Sequence, residues 1–268
     1  MKRKEDGMVV VQLRSPAMAL KTELASREGR RALAAEFLGT LLFLVFSAGT
    51  AAVTAGLLAE RMTSARLLVM ALANGLAYSI FVAAALPISG GHLNPAVTVA
   101  SLLSKQIGAA KAFMYVLSQC AGAVAGALLL MVMIPASMHG SLGADGLGAR
   151  MTIGGGLVTE IVLTSVLVAA VLAAARGVTP VSLAVVGLVV VLAHLLGGPL
   201  TGASMNPART FGPALITGMW RDHWVFWLGP LVGSAVAIFF HDFCFSVGPK
   251  HMRGMGEVNH KPAPARSY

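Results

Sequence analysis

The sequence has little charge, few aromatic side chains and almost no cysteine. Only 12% of its 268 residues are charged and its mean hydropathy is +0.78, whereas soluble globular domains carry about 25% charge. These values exclude a soluble enzyme, a disordered chain, a coiled coil and collagen. Aromatic residues make up 6% of the chain beside 30 glycines, which favours helices that pack closely through small side chains in lipid. Because Cys120 and Cys244 both lie in apolar runs, we expect no disulfide framework.

The net charge of +9 is concentrated near the two ends of the chain. Residues 1–35 hold eight Lys and Arg against four acidic residues, and the stretch after Ser246 holds four basic residues against Glu257. A basic surface that binds nucleic acid would be spread over a folded domain, so we expect no nucleic-acid partner. The basic tails are instead expected to contact the acidic headgroups of membrane lipid.

Six apolar segments are each long enough to cross a bilayer as a helix, which takes about 20 residues. They lie at residues 33–57, 66–88, 109–134, 155–176, 180–199 and 223–246. With the tails included, fifteen basic residues lie on one side of these spans and four on the other, Arg209 not counted. The positive-inside rule therefore predicts a multi-pass membrane protein with both termini in the cytoplasm. The sequence does not distinguish the plasma membrane from the vacuolar membrane.

Two further apolar segments, 92–104 and 204–216, are too short to span. Ten helical residues rise about 15 Å, against a hydrocarbon core of about 30 Å, so we interpret both as half-helices. Irregular backbone at membrane depth is tolerated only where it is buried or lines a water-filled cavity. This pair of segments therefore predicts a pathway through the membrane.

An internal repeat relates the two halves of the chain. Glu36-Phe-Leu-Gly-Thr40 matches Glu160-Ile-Val-Leu-Thr164, and His92-Leu-Asn-Pro-Ala-Val-Thr98 matches Ser204-Met-Asn-Pro-Ala-Arg-Thr210. Each unit has three spans, an odd number, so the second unit enters the membrane from the opposite face and its half-helix dips in from the opposite side. We therefore divide the chain into a cytoplasmic tail (1–32), a membrane domain (33–246) with repeats at about 33–134 and 155–246, and a second cytoplasmic tail (247–268).

Two Asn-Pro-Ala motifs head the half-helices and are expected to meet near the midplane. Asn is a preferred N-cap, and Pro suits the first helical position because it lacks an N–H group. An Asn cap keeps an amide donor for the lumen, and the positive end of each half-helix dipole raises the energy of a passing cation. One such motif is uninformative, but two in matching places of an inverted repeat are highly specific. They are Asn94, Pro95 and Ala96, and Asn206, Pro207 and Ala208.

On these motifs the chain resembles the aquaporin, or major intrinsic protein, family over roughly residues 32–246, and its motif loops are most similar to those of plant and algal members. The matching stretches are 35–40, 89–98 and 202–214. The resemblance implies an all-α hourglass of six spans and two half-helices, assembled as a homotetramer in which each subunit has its own pore. It also implies a passive water channel. The spans contain no carboxylate pair and no Cys/His cluster with ligand spacing, so we expect no enzyme, no cofactor and no metal.

The same resemblance places the narrowest part of the pore at four residues, carried over by their spacing from the two motifs: Asn74, His194, Ala203 and Arg209. Arg209 and His194 match the water-selective pattern, since a guanidinium donates to water and repels cations while an imidazole narrows the opening. Asn74 departs from the pattern, because relatives often place Phe or His there. A smaller polar side chain is expected to widen the constriction, which makes ammonia, hydrogen peroxide and urea candidate solutes beside water.

Several of these residues also have a purely structural interpretation. Arg209 would form a buried ion pair, His194 a core hydrogen bond and Asn74 a contact between helices. We expect Glu36 and Glu160 to act as scaffold carboxylates that accept hydrogen bonds from the half-helix loops, although proton relays in transporters use similar groups. For the whole protein, the alternatives are a facilitator of neutral solutes (ammonia, urea or glycerol) with little water selectivity, and a secondary transporter, which also has inverted repeats and broken helices.

Overall fold

The computed structural model describes residues 25–57 and 62–245, together with residues 4, 5, 8, 9, 18, 20 and 21. The predicted C-terminal tail and most of the predicted N-terminal tail lie outside these residues, as does Arg61. Near the N-terminus, β1 (Lys4–Glu5) pairs antiparallel with β2 (Met8–Val9). The helices that follow are α1 (Arg27–Leu57), α2 (Ser64–Ser89), α3 (Pro95–Leu103), α4 (Ala109–Met133), a 3₁₀ turn (Ala136–Met138), α5 (Ile153–Ala175), α6 (Pro180–Thr201), α7 (Pro207–Thr217) and α8 (Val225–Phe245).

Six of these helices, α1, α2, α4, α5, α6 and α8, are long and apolar enough to cross a membrane. The short helices α3 and α7 have 9 and 11 residues and correspond to the two predicted half-helices. The all-α fold of six spans and two half-helices is therefore confirmed. Most boundaries differ from the prediction by one to three residues, and the largest difference is at α1, which begins six residues earlier than 33. The Ser26 hydroxyl accepts a hydrogen bond from the Gly29 N–H at 2.9 Å, which caps a polar extension that hydropathy does not detect.

The inverted repeat is visible in the backbone where each half-helix begins. The preceding spans, α2 and α6, end at Gly90 and Gly202, whose φ angles of 92° and 86° lie in the left-handed region. Leu93 and Met205, the residues just before the two Asn caps, have φ angles of 50° and 51°. Side chains rarely adopt this conformation, so both loops are held in it by their surroundings.

The two repeats interlock through their half-helices. Within each repeat, the first span packs against the second and third, α1 against α2 and α4, and α5 against α6 and α8. Across the repeats, α2 packs against α6, α3 packs against α8, and α7 packs against α4. Each half-helix is thus clamped by the last span of the other repeat, so neither repeat forms its half of the centre alone.

Glycines allow the first and third span of each repeat to approach closely. They are Gly122 and Gly126 on α4, which face α1, and Gly229 and Gly233 on α8, which face α5. A Cβ atom added at Gly126 would lie 2.8 Å from the backbone oxygen of Leu41, and one added at Gly233 would lie 2.6 Å from that of Ile161. The four-residue spacing places each pair on one helix face, as in the small-residue interfaces of membrane helices.

The close approach of α1 and α4 predicts a loss of stability when Gly126 is replaced. Gly126→Val puts carbon against the α1 backbone, and the forced separation should cost about 1–3 kcal/mol. Thermal unfolding in detergent, followed by the loss of the size-exclusion peak, should show a lower midpoint than wild type. Gly154→Val is the matched control, because a Cβ at this helical position meets no atom within 4 Å. Equal midpoints for the two variants would contradict the packing argument.

Candidate functional site

The two Asn-Pro-Ala motifs meet at the centre of the structure. Asn94 caps α3 by accepting from the Ala96 N–H at 2.8 Å, and Asn206 caps α7 by accepting from the Ala208 N–H at 3.1 Å. Both side chains are buried, and each cap is followed by proline. The cap amides then cross between repeats: Asn94 Nδ2 donates to the oxygen of Met205, and Asn206 Nδ2 donates to that of Leu93, each at 2.9 Å. These contacts use one of the two N–H bonds on each amide, so only the second remains for a solute.

Glu36 organises the loop before α3. Its fully buried carboxylate accepts from the N–H groups of His92 and Leu93 at 3.0 and 2.7 Å. It also accepts from the Ser89 hydroxyl at 2.6 Å and from the Gln119 amide at 2.7 Å. These donors lie on α2, on α4 and in the loop, so one side chain of α1 ties all three together.

Glu160 has the same position in the second repeat. Its carboxylate, also fully buried, accepts from the N–H groups of Ser204 and Met205 at 3.1 and 2.9 Å, and from the Thr201 hydroxyl at 2.6 Å. Every one of these contacts is local to the loop before α7 or to the end of α6. Such contacts support the scaffold interpretation of both carboxylates over a proton relay.

Ala203 lies in the loop held by Glu160. It is fully buried and has a φ angle of 54°, matching Gly91 in the first repeat, whose φ angle is 63°. Its N–H donates to the Thr201 hydroxyl at 3.1 Å, and a Cβ added at Gly197 would lie 3.0 Å from the Ala203 Cβ. The small side chain therefore fits a confined position between α6 and the loop.

Asn74 and His194 lie on neighbouring helices, near the place where α2 and α6 cross at Gly75 and Gly187. Asn74 is fully buried and its Nδ2 donates to the oxygen of Met70 at 2.8 Å, one turn earlier. His194 is 2% exposed, its Nδ1 lies 2.9 Å from the oxygen of Val190, and it lies within electrostatic range of Arg209. The intrahelical bond of His194 fixes its tautomer with the proton on Nδ1, which leaves Nε2 as an acceptor.

Arg209 forms a buried ion pair with Asp145, a residue that the sequence analysis did not identify. The Arg209 Nη1 contacts the carboxylate, and both side chains are 1% exposed. The other carboxylate oxygen accepts from the Thr210 hydroxyl at 2.5 Å. Asp145 is the one acidic residue of segment 134–152, which is rich in glycine, and this is the signal in the sequence that could have identified it. The buried ion pair, which is the structural interpretation of Arg209, is therefore present. The Arg209 Nε atom takes no part in it.

Three of the four predicted constriction residues leave a buried polar atom unpaired. Asn74 Oδ1, His194 Nε2 and Arg209 Nε make no hydrogen bond with any described group of the protein. Buried polar atoms are bonded in more than about 90% of cases, so such exceptions need an explanation, and a bound water is one such explanation. Thr40, Gln119 and Thr164 also each leave one side-chain oxygen without a partner. Two acceptors and one donor match the bonding capacity of water and of small polar solutes.

A cavity of about 260 Å³ opens beside Arg209 and Asp145. Residues of α1, α2, α6 and segment 134–152 complete its wall, Arg66, Met70 and Gly202 among them. Among the described residues, no group of three or more His, Cys, Asp or Glu is placed to hold a metal ion. Cys120 and Cys244 are both free thiols.

Comparisons with known proteins agree with this arrangement. Residues 23–241 match the model of the family described as major intrinsic protein. Human Aquaporin-2 is 42% identical over 225 residues, which cover 82% of this chain and 81% of that protein. Aquaporin-4 of Mus musculus is 36% identical over 237 residues, which cover 87% of this chain and 73% of that protein. The aquaglyceroporin structure from Plasmodium falciparum has a TM-score of 0.70 at 24% identity, covers 80% of this chain and 95% of that one, and so supports the fold. The chain therefore belongs to the major intrinsic protein family, the family of the aquaporins.

Proposed function

We propose that the protein is a passive membrane channel whose main permeant is water. The observation that carries this proposal is the set of unpaired atoms on Asn74, His194 and Arg209, since buried polar groups without partners are costly unless water reaches them. Membership in the major intrinsic protein family and identity to aquaporins over most of the chain support the same conclusion.

In this proposal the centre of the pore lies at the two Asn caps. The second N–H of Asn94 and of Asn206 donates to passing water, while the cap oxygens stay occupied by the half-helix backbone. The positive ends of α3 and α7 both point to this place and oppose the entry of cations. Waters on the two sides are oriented in opposite senses, which disfavours a continuous proton wire.

The narrow filter of the proposal consists of Asn74, His194, Ala203 and Arg209. Arg209 presents a donor and His194 an acceptor to a water molecule, and the small side chain of Ala203 leaves space for that water. Both termini face the cytoplasm by the charge bias of the loops, and four subunits assemble around separate pores. Helix faces with exposed side chains such as Leu76, Ile80, Leu188 and Leu192 are available to lipid and to neighbouring subunits.

A broader neutral-solute channel is the second candidate, favoured by Asn74. The side chain turns its amide nitrogen back to Met70 and leaves its oxygen unpaired, so it offers an acceptor where a larger ring would close the opening. Ammonia, urea and hydrogen peroxide all donate hydrogen bonds to such an oxygen. Proton-coupled transport is disfavoured, because the carboxylates of Glu36 and Glu160 are held by loop contacts.

A channel of this kind should raise osmotic water permeability in reconstituted vesicles. Stopped-flow light scattering with an impermeant osmolyte should show shrinkage about tenfold faster than for empty vesicles. The reason is that water crosses through the pore and does not have to dissolve in the lipid. The flux should be linear in the osmotic gradient and weakly dependent on temperature. An imposed sodium or proton gradient should leave it unchanged. Saturation, or a flux driven by either gradient, would instead indicate a transporter.

Replacing Asn74 by phenylalanine separates the two candidate solute ranges. Asn74→Phe should narrow the opening and remove the acceptor, so urea and ammonia entry should fall to the empty-vesicle rate while water flux falls by about twofold at most. Leu76→Phe is the matched control, since this side chain of the same helix is 57% exposed on the outer face. If wild-type vesicles pass neither urea nor ammonia, the widening argument from Asn74 is wrong and the pore is water-selective.

Ala203 provides a test of the filter position itself. Ala203→Cys should make water flux sensitive to mercuric chloride, because a mercury atom bound there occupies the narrowest part of the lumen. A thiol reagent should restore the flux. Wild type is the control, since it already contains the free thiols of Cys120 and Cys244, and it should lose little activity. If the Ala203→Cys variant is folded but its water flux is insensitive to mercuric chloride, residue 203 lies outside the water path.

A further inference from the structure

The arginine of the proposed filter is not an isolated charge. Its guanidinium contacts the Asp145 carboxylate, and the side chains of both residues are 99% buried, so neither charge is screened by bulk water. An arginine alone at a narrow, dry position would give the constriction one full positive charge. Because Arg209 is paired with Asp145, the two side chains together carry no net charge.

The carboxylate is held in place from two further sides. The Thr210 hydroxyl donates to Asp145 Oδ2 at 2.5 Å, and Thr210 also contacts the Ser204 hydroxyl. Gly202 leaves room on the other side, where an added Cβ would lie 2.5 Å from Asp145 Oδ1. Segment 134–152 therefore inserts a carboxylate into a place that the end of α6 and the start of α7 have shaped for it.

We propose that Asp145 is a positioning residue of the filter, which holds the Arg209 guanidinium against the wall beside Gly202 and compensates its charge. This inference rests on the proposed channel function. Cation exclusion in this protein then depends on the half-helix ends and on the cost of removing the hydration shell, rather than on an uncompensated charge of Arg209. Other charged groups near the pair are Arg66 in the same cavity, and Glu160 and His223 within electrostatic range of Asp145.

Removing each charge in turn tests the proposal. Arg209→Val leaves an unpaired carboxylate at the constriction, so proton conductance, measured with a dye inside vesicles under a potassium–valinomycin clamp, should rise about tenfold or more. Adding Asp145→Asn to Arg209→Val removes that carboxylate, and the conductance should return about tenfold towards wild type. Asp145→Asn alone should reduce water flux severalfold, because the guanidinium is no longer held to the wall, while proton exclusion stays intact.

Asp222→Asn in the Arg209→Val background is the matched control. Asp222 lines a cavity together with Asp145 but contacts Arg221 rather than Arg209. The same loss of one negative charge there should leave the proton conductance high. Arg209→Met, which keeps more of the side-chain length, provides a second background, and size-exclusion profiles establish that every variant is folded.

Two results would overturn the proposal. One is a proton conductance that Asp145→Asn leaves unchanged in both Arg209 backgrounds, and the other is an equal decrease with Asp222→Asn, which would indicate a general field effect. Water flux measured in the same vesicles keeps this test separate from the function itself. Wild-type vesicles without water flux contradict the channel, whereas normal water flux with either of these results contradicts only the role of Asp145.

Discussion

Two buried carboxylates make the centre of this fold possible. Half-helices leave loop backbone at membrane depth, where water does not reach every N–H group and an unpaired one costs several kcal/mol. Glu36 and Glu160 each accept from two consecutive loop N–H groups, which fixes Leu93 and Met205 in left-handed conformations and turns the Asn caps towards each other. The crossed Asn contacts, and with them the position of both half-helices, depend on this support.

Sequence reasoning predicted the parts of the structure that come from local pattern. Hydropathy identified all six spans, and the paired Asn-Pro-Ala motifs identified the centre, because both depend on residues close together in the chain. Asp145 was missed because its partner Arg209 is 64 residues away in the chain. Segment 134–152 also has no hydrophobic periodicity from which the position of a side chain in the fold could be predicted. The hydrogen bonds that Gln119 and Ser89 donate to Glu36 were missed for the same reason.

The filter positions were carried over by spacing from a family resemblance, and their role stays a prediction. Asn74 and His194 lie on rigid helices whose crossing is fixed by the mutual approach of Gly75 and Gly187, so a sequence offset corresponds to a definite place. Asp145 lies in a segment without such a constraint. An offset there corresponds to no fixed place, so only coordinates reveal the contact.

The ion pair of Arg209 and Asp145 lies where the inverted repeat breaks its own symmetry. Equivalent positions keep equivalent scaffold roles: His92 contacts Thr98 across the first loop as Ser204 contacts Thr210 across the second. At the position after the motif, however, the first repeat has the buried apolar Val97 and the second has Arg209. A charge in one repeat alone makes the proposed pore asymmetric along its axis. Asp145 pairs with that charge from outside the repeated elements, so the scaffold stays symmetric while the ion pair lies at one end of the proposed pore.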